Sequence, residues 1–366
     1  MILQWPNQFI TKLDKSSKIY VAGHQGLVGS ALVRMFEAKG YAHLILRTSK
    51  QLDLRNQSDV LKFFEEQRPG TVILAAAKVG GILANSTYKA EFIYDNLAIS
   101  TNVIHASYLT GVKRLLNLGS SCIYPKMAPQ PLREDSLLTG PLEETNEPYA
   151  IAKIAAVKLC RYYNEQYKTN FLSLMPTNMY GPNDNFNLET AHVLPAMLRK
   201  MYLGLLLSTK AHDQLLADTQ RHPLGFGIKP ADSVDALTKQ LKDLGITAEV
   251  VSLWGTGTPR REFLHVDDLA EASFFVLNKN HEEIGELVNV GVGEDLTIKE
   301  LAAILRSIVG YQGGVRFAQG HPDGTPRKLL DVGKLTRLGW KAAIPLEQGI
   351  RKTFAWYREH SSVQNK

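Results

Sequence analysis

From residue 19 to about residue 179 the chain alternates short apolar runs with longer amphipathic stretches. Runs at 18–22, 43–46, 71–74, 114–118 and 171–175 have the length and apolar density of buried strands. The stretches 27–39, 57–67, 91–110 and 148–167 read as helices. Strands alternating with helices predict βαβ units and a parallel sheet. After residue 181 the texture changes. Residues 182–200 are mixed, and 202–250 have a weak pattern with several breakers: Pro223, Gly225, Gly227 and Pro230. Beyond them the pattern predicts a helix at 231–244, a strand at 249–254, a turn-rich 255–261, a helix at 266–277, a strand at 287–290 and a helix at 297–309. Thr297 and Glu300 stand at capping-box spacing at the start of that last helix. The expected organisation is a short extension over 1–17, a doubly wound nucleotide-binding domain from 18–180 plus about 262–292, and a smaller substrate-binding domain from about 181–261 plus 293–358.

Composition narrows the classes. The 366 residues contain 42 Lys+Arg and 36 Asp+Glu, a formal charge of +6. The basic residues are scattered, with no basic run interleaved with aromatics, so an anionic small molecule fits this charge and no nucleic acid partner is expected. No apolar run approaches the ~20 residues of a membrane span. The two cysteines, Cys122 and Cys160, form no CxxC pair and no disulfide framework, which points to a reducing cytoplasm. No metal site is expected.

Directly after the first strand comes Gly23-His24-Gln25-Gly26-Leu27-Val28-Gly29. GxxGxxG between a strand and a helix is a variant of the dinucleotide fingerprint, in which glycines let backbone N–H groups approach a pyrophosphate at the helix N-terminus. The fold class this predicts is α/β, a Rossmann-type doubly wound parallel sheet with a smaller C-terminal substrate-binding domain. About 20 residues on, where NAD enzymes place an acidic residue, the chain has Arg47 and Lys50. Positive charge there pairs with a 2′-phosphate, so the expected cofactor is NADP(H). Asp53 follows and is expected at the adenine end.

Tyr149 and Lys153 stand at YxxxK spacing, on one face of a predicted helix. An ammonium beside a phenol favours the phenolate, so Tyr149 is expected to exchange a proton with a sugar carbonyl near neutral pH, with Lys153 holding the nicotinamide ribose. Gly119-Ser120-Ser121-Cys122 follows a strand, and a serine there can hydrogen-bond the carbonyl being reduced.

These residues, with 75–82, 119–125, 146–153, 175–182, 184–186, 261–268 and 322–328, resemble the extended short-chain dehydrogenase/reductase superfamily and, within it, the GDP-L-fucose synthase family. The resemblance covers about residues 19 to 357. It implies 3,5-epimerisation and NADPH-dependent 4-reduction of GDP-4-dehydro-6-deoxy-D-mannose. It implies Ser120, Cys122, Tyr149, Lys153 and His192 as catalytic, with Cys122 and His192 as the epimerising pair. Removing a hydrogen α to a ketone from one face and returning a proton from the other needs two groups that titrate near neutrality. It places Leu118, Gly119, Ser120, Ser121, Lys153, Pro176, Thr177, Asn178, Met179 and His192 against the cofactor. Lys200, Trp254, Arg261 and Asp323 match substrate contacts, with Arg261 on the pyrophosphate. Cys160 is expected to be packing. The helices 91–110 and 148–167 imply a homodimer.

Three departures stand out: Gln25 and Ser49 replace arginines frequent in the family, and about 204–249 reads as an insertion, by default a neutral surface addition. Competing readings are a plain nucleotide-sugar 4-epimerase or 4-reductase, which has no use for Cys122 with His192, and a non-catalytic dinucleotide-binding protein, which has no use for Ser120, Tyr149 and Lys153.

Overall fold

The computed structural model of the chain describes residues 12–229, 231–318 and 323–361, with Ile82 and Leu83 described by their backbone alone. Residues 1–11 of the expected extension, Pro230 and Pro322 lie outside the described residues. The first half runs β1 (Ile19–Ala22), α1 (Leu27–Ala38), β2 (Leu44–Ile45), α2 (Gln57–Gln67), β3 (Thr71–Leu74), α3 (Ile82–Thr87), α4 (Lys89–Leu109), β4 (Arg114–Leu118), α5 (Glu147–Tyr167), β5 (Phe171–Pro176) and β6 (Asn178–Tyr180). It continues with α6 (Val193–Ser208), α7 (His212–Arg221), α8 (Val234–Asp243), β7 (Val250–Trp254), β8 (Arg260–Arg261), β9 (Phe263–His265), α9 (Val266–Leu277), α10 (His281–Ile284) and β10 (Val288–Val290). The chain ends through β11 (Leu296–Thr297), α11 (Ile298–Val309), β12 (Gly314–Ala318), β13 (Arg327–Lys328), α12 (Gly333–Arg337) and α13 (Leu346–Ser361).

Six strands form one parallel sheet in the order β10-β5-β4-β3-β1-β2. This is the Rossmann-type sheet expected from the sequence. Five of its strands are buried on both faces because helices cover both sides, and the edge strand β2 is half-buried. On β1, Ile19 and Val21 join Leu32 and Phe36 of α1 and Leu269 and Val276 of α9, whereas Tyr20 joins Phe64 of α2, Val103 of α4 and Cys160 of α5. Cys160 is thus core, as expected. The chain passes from β1 to β2 on one side and then crosses to β3 on the other. This switch opens a crevice at the carboxyl ends of β1 and β3, where α/β sheets bind ligands.

The weak pattern over 182–250 conceals two helices, α6 and α7. α6 buries Leu194, Met197, Leu198, Met201, Tyr202, Leu203 and Leu206, so it is apolar nearly all round and shows little amphipathic period. The 204–249 segment is not a surface addition. Leu215, Leu224, Leu237, Leu241 and Ile246 lie in the same apolar cluster as α6, α11 and α13. A fully buried Arg199 anchors it: Nε donates to Asp218 Oδ1 at 3.1 Å and Nη1 to the carbonyls of Phe186 and Pro223. α8 starts after residue 231 because Ser233 caps it, its Oγ accepting from the Ala236 N–H at 3.3 Å. Thr297 and Glu300 form the expected capping box.

Candidate active site

The carboxyl ends of β1, β3, β4 and β5 open into one cleft, and every site residue singled out from the sequence lines it, from the Gly23–Gly29 cradle to Asp323. At the cradle, Gly23 has φ +83°, and a Cβ there would stand 2.7 Å from the Ala76 nitrogen. Gly26 instead meets nothing nearer than Gly23 O at 3.6 Å, so the space over the α1 N-terminus is open. α1 has no side-chain cap and no acidic residue in its first turn. Its unpaired N–H groups and positive end therefore face the cleft, which fits a dinucleotide pyrophosphate. The buried Nδ1 of His24 has no hydrogen-bond partner among the described residues.

Arg47, Lys50 and Asp53 share one end of the cleft with Arg55. Arg47 Nη1 donates to its neighbour's carbonyl, Leu46 O, at 2.9 Å, and its guanidinium lies 5.7 Å from the Phe63 ring centroid. Asp53 accepts from Arg55 Nε at 2.9 Å and Nη2 at 2.8 Å, and these bonds hold its carboxyl below the usual range. Arg55 was not legible from motif spacing. It neutralises Asp53 and leaves this end positive, as a 2′-phosphate requires.

Ser120 follows β4 in extended conformation and caps a single 3₁₀ turn, Ser121–Ile123, its Oγ accepting from the Cys122 N–H at 3.3 Å. That turn sets Ser120 and Cys122 two residues apart at one strand end. On α5, Lys153 Nζ donates to Leu118 O at 2.8 Å and lies 5.6 Å from the Tyr149 ring centroid. Burial lowers the Lys153 ammonium to about 8. The expectation of a phenol acidified by this ammonium is corrected. Burial, and secondarily Cys122, pushes Tyr149 well above the ordinary tyrosine value, while Lys153 lies over its ring and donates to the β4 carbonyl. Tyr149 is accordingly a protonated phenol, the form a ketone reduction consumes.

His192 occupies the N-cap of α6 and caps nothing with its ring. It is accessible through the cleft, yet the enclosing walls, and secondarily Lys328, hold the imidazole below its usual value. Its loop is braced from three sides. Gly81 N donates to Thr190 O at 3.0 Å, Asn187 Oδ1 accepts from Glu189 N at 3.0 Å, and Glu189 Oε2 accepts from Phe226 N at 2.6 Å.

At the far end, Lys200 Nζ donates to Ser252 O at 3.1 Å, and burial lowers it to about 8. Trp254 stands 49% exposed at the end of β7. Arg261 is half-buried and donates Nη1 to Arg260 O at 2.8 Å. Beside it, Arg260 is held through Nε by Asp295 Oδ1 at 2.8 Å. Asp323 accepts from the Thr256 amide at 3.0 Å and hydroxyl at 2.7 Å, so it clamps the 255–258 turn beside Trp254.

Several lining residues had no assigned role in the sequence reading. Phe226, Leu244 and Gly245 bring the 204–249 segment into the cleft wall. Lys328 lies near Cys122, within the 322–328 segment that carries the resemblance. Asp184, in the 184–186 segment, has a buried Oδ2 without a hydrogen-bond partner among the described residues, and burial pushes its carboxyl up to about 8. Glu262 Oε1 accepts from Val292 N at 2.6 Å and Gly293 N at 2.7 Å, and its Oε2 from Leu330 N at 3.0 Å, joining three segments behind the site. No helix among the described residues is long and apolar enough to cross a membrane.

A family model described as the NAD dependent epimerase/dehydratase family matches residues 19–218 and 225–291. A putative GDP-L-fucose synthase 2 of Arabidopsis thaliana is 50% identical over 354 residues, 97% of this chain and 95% of the relative. The GDP-L-fucose synthase of Escherichia coli (strain K12) is 46% identical over 350 residues, 94% of this chain and 97% of the relative. Among solved structures, a GDP-D-glycero-L-gluco-heptose synthase from Campylobacter jejuni in the presence of NADPH aligns with TM-score 0.87 and 38% identity, covering 94% of this chain and 99% of that one.

Proposed function

This chain belongs to the NAD dependent epimerase/dehydratase family, and we propose that it converts GDP-4-dehydro-6-deoxy-D-mannose to GDP-L-fucose by epimerisation at C3 and C5 and NADPH-dependent reduction at C4. The observation that carries this reading is one cleft holding two sets of groups. Ser120, Tyr149 and Lys153 suit a carbonyl, and Cys122 and His192 suit the carbons beside it. Curated relatives at 46–50% identity over nearly the whole chain bear the same activity in their names.

In the epimerising steps the Cys122 thiolate takes the proton from C3 or C5, and the electron pair moves to the C4 oxygen. Ser120 and Tyr149 hydrogen-bond that oxygen as it gains charge. His192 returns a proton to carbon from the other side. When bound, NADPH supplies hydride to C4. Tyr149 gives its phenolic proton to the C4 oxygen, and Lys153 favours the phenolate left behind. Lys200, Trp254 and Arg261 hold the GDP portion, with Arg261 on the pyrophosphate. A plain 4-reductase leaves Cys122 and His192 without work, so it is the second reading.

The protein is proposed to act in the cytoplasm as a homodimer. Support for the first is that both cysteines are free thiols. Support for the second is a pair of exposed stripes, Tyr94 and Leu109 on α4 and Ile151 and Tyr162 on α5.

Incubating the protein in D₂O with NADPH and the keto sugar, and reading the product by NMR, tests the function. The wild type is expected to give GDP-L-fucose deuterated at C3 and C5. Cys122→Ser, with a far less acidic group, should bind both ligands, lose the label and slowly reduce the unepimerised ketone. His192→Gln should fail to complete epimerisation. Full deuteration in Cys122→Ser would remove Cys122 from the mechanism, and a wild type that reduces the ketone without taking up label would leave the plain 4-reductase.

A further inference from the structure

A buried thiol is a poor base, and the proposed epimerisation needs a thiolate. Burial raises the Cys122 thiol above its ordinary value, and the largest charge opposing that rise is Lys328, ahead of the Ser120 hydroxyl and Lys153. Lys153 is already committed to Leu118 O and to the Tyr149 ring. Lys328 is not committed: among the described residues its ammonium makes no hydrogen bond or ion pair. We propose that Lys328 is a positioning residue of the epimerisation, its ammonium holding Cys122 as the thiolate that removes the proton from carbon.

The backbone places Lys328 there from several directions. It ends β13, in parallel register with Arg261 of β8. The residues after it are pinned to the segment that follows Cys122. Leu329 N donates to Gln130 Oε1 at 2.9 Å, Leu329 O accepts from Leu132 N at 2.7 Å, and Asp331 N donates to Leu132 O at 2.8 Å. Glu262 holds Leu330 N from behind. Cys122 and Lys328 consequently line one small cavity as well as the main cleft.

The other charged or titratable groups around this pair are Tyr149 and Lys153 from α5, His192 at the start of α6, Arg261 from β8, Arg327 from β13, which is held by Asp295 at 2.5 Å, and Tyr124, Lys126 and Glu143 from the chain between β4 and α5. Glu143 is held by Lys126 at 2.9 Å. The Lys328 charge also lowers the His192 imidazole, so an imidazolium there is a stronger acid toward carbon. In the step itself the C–H bond breaks, the S–H bond forms, and the electron pair goes to the C4 oxygen. Lys328 keeps its proton throughout. The thiol proton then leaves to solvent, and His192, which has given its own proton to carbon, takes another from solvent; His192 is the route by which deuterium reaches carbon.

This role rests on the proposed function, but its test does not depend on turnover. In a Cys160→Ala background without substrate, the pH dependence of iodoacetamide alkylation reads the Cys122 thiol, and NMR reads the His192 imidazole. Lys328→Met is expected to move the thiol up by about one unit, a tenfold loss of thiolate at neutral pH, and to move the imidazole up as well, a common rise that loosened packing does not produce. Lys328→Arg should restore much of both. With substrate, deuterium entry at saturating sugar should fall about tenfold in Lys328→Met while NADPH binding is unchanged. An unmoved thiol titration, or a raised KM alone with normal deuterium entry at saturation, would make Lys328 a grip on the GDP pyrophosphate and overturn the proposal. A wild type that neither incorporates deuterium nor reduces would sink the proposed function while leaving the thiol titration to decide Lys328.

Discussion

Lys153 Nζ donates to the carbonyl of Leu118 over 2.8 Å, so the ammonium on α5 is tied to the last residue of β4, two residues before Ser120. This one bond sets Tyr149 and Lys153 of α5 against the strand end that carries Ser120. Tyr149, which lies against Phe92 with ring centroids 6.5 Å apart, stays protonated because burial, and secondarily Cys122, raises it.

Tyr149→Phe removes the proton donor and leaves the ring packing intact. Reduction of the ketone is expected to fall by roughly 10²–10⁴, while NADPH binding, followed by nicotinamide fluorescence, survives. Loss of NADPH binding would show that the hydroxyl serves the fold.

Arg47, Lys50 and Arg55 surround the expected 2′-phosphate end, and Asp53 is neutralised by Arg55. NADPH should therefore exceed NADH in kcat/KM despite Gln25 and Ser49. Replacing Arg47 and Lys50 together with serine should reduce that preference by about tenfold or more, each charge-assisted contact being worth roughly 1.5–3 kcal/mol. Added salt should weaken NADPH more than NADH. Equal kcat/KM values for the two cofactors in the wild type would reject this account.

Asp184 predicts a pH signature in the unliganded protein. Its carboxyl titrates at about 8 when folded because of burial, against about 3.9 unfolded. Between those values the folded state holds the extra proton, so stability from this group is full below about 4 and is lost as pH rises toward 8. Asp184→Asn has no such proton to lose. Urea midpoints measured from pH 5 to 8 should fall less steeply in the variant. Parallel curves would place the Asp184 charge in water.

Tyr94 is 65% exposed on α4 and Tyr162 53% exposed on α5. On α5, Ile151 and Tyr162 lie eleven residues apart, three helical turns along one face. Two copies meeting through these faces would form an isologous contact. Light scattering at micromolar concentration should give twice the 40.7 kDa chain mass, and Ile151→Asp with Tyr162→Asp should give monomers. A wild-type monomer would remove the dimer.

What could be read from the chain without its fold were the features whose physics is local. The Gly23–Gly29 cradle, the strand-end Ser120 and the Tyr149–Lys153 pair each lie within a few residues, where turn geometry and helical spacing decide their placement. The alternation of strands and helices likewise announced the parallel sheet. The resemblance then pointed to Cys122, His192 and the substrate residues, which spacing alone leaves as core or bystander positions. Tertiary structure decided the rest. α6 escaped the pattern because it is buried on most sides, and the 204–249 segment read as an addition because its apolar residues find their partners on α6, α11 and α13 rather than on each other. The protonation states were also non-local. Tyr149 stays a phenol, Lys200 is depressed and Lys328 comes to face Cys122, because burial and charge depend on groups up to about 200 residues away in the chain that only packing brings within Coulomb range.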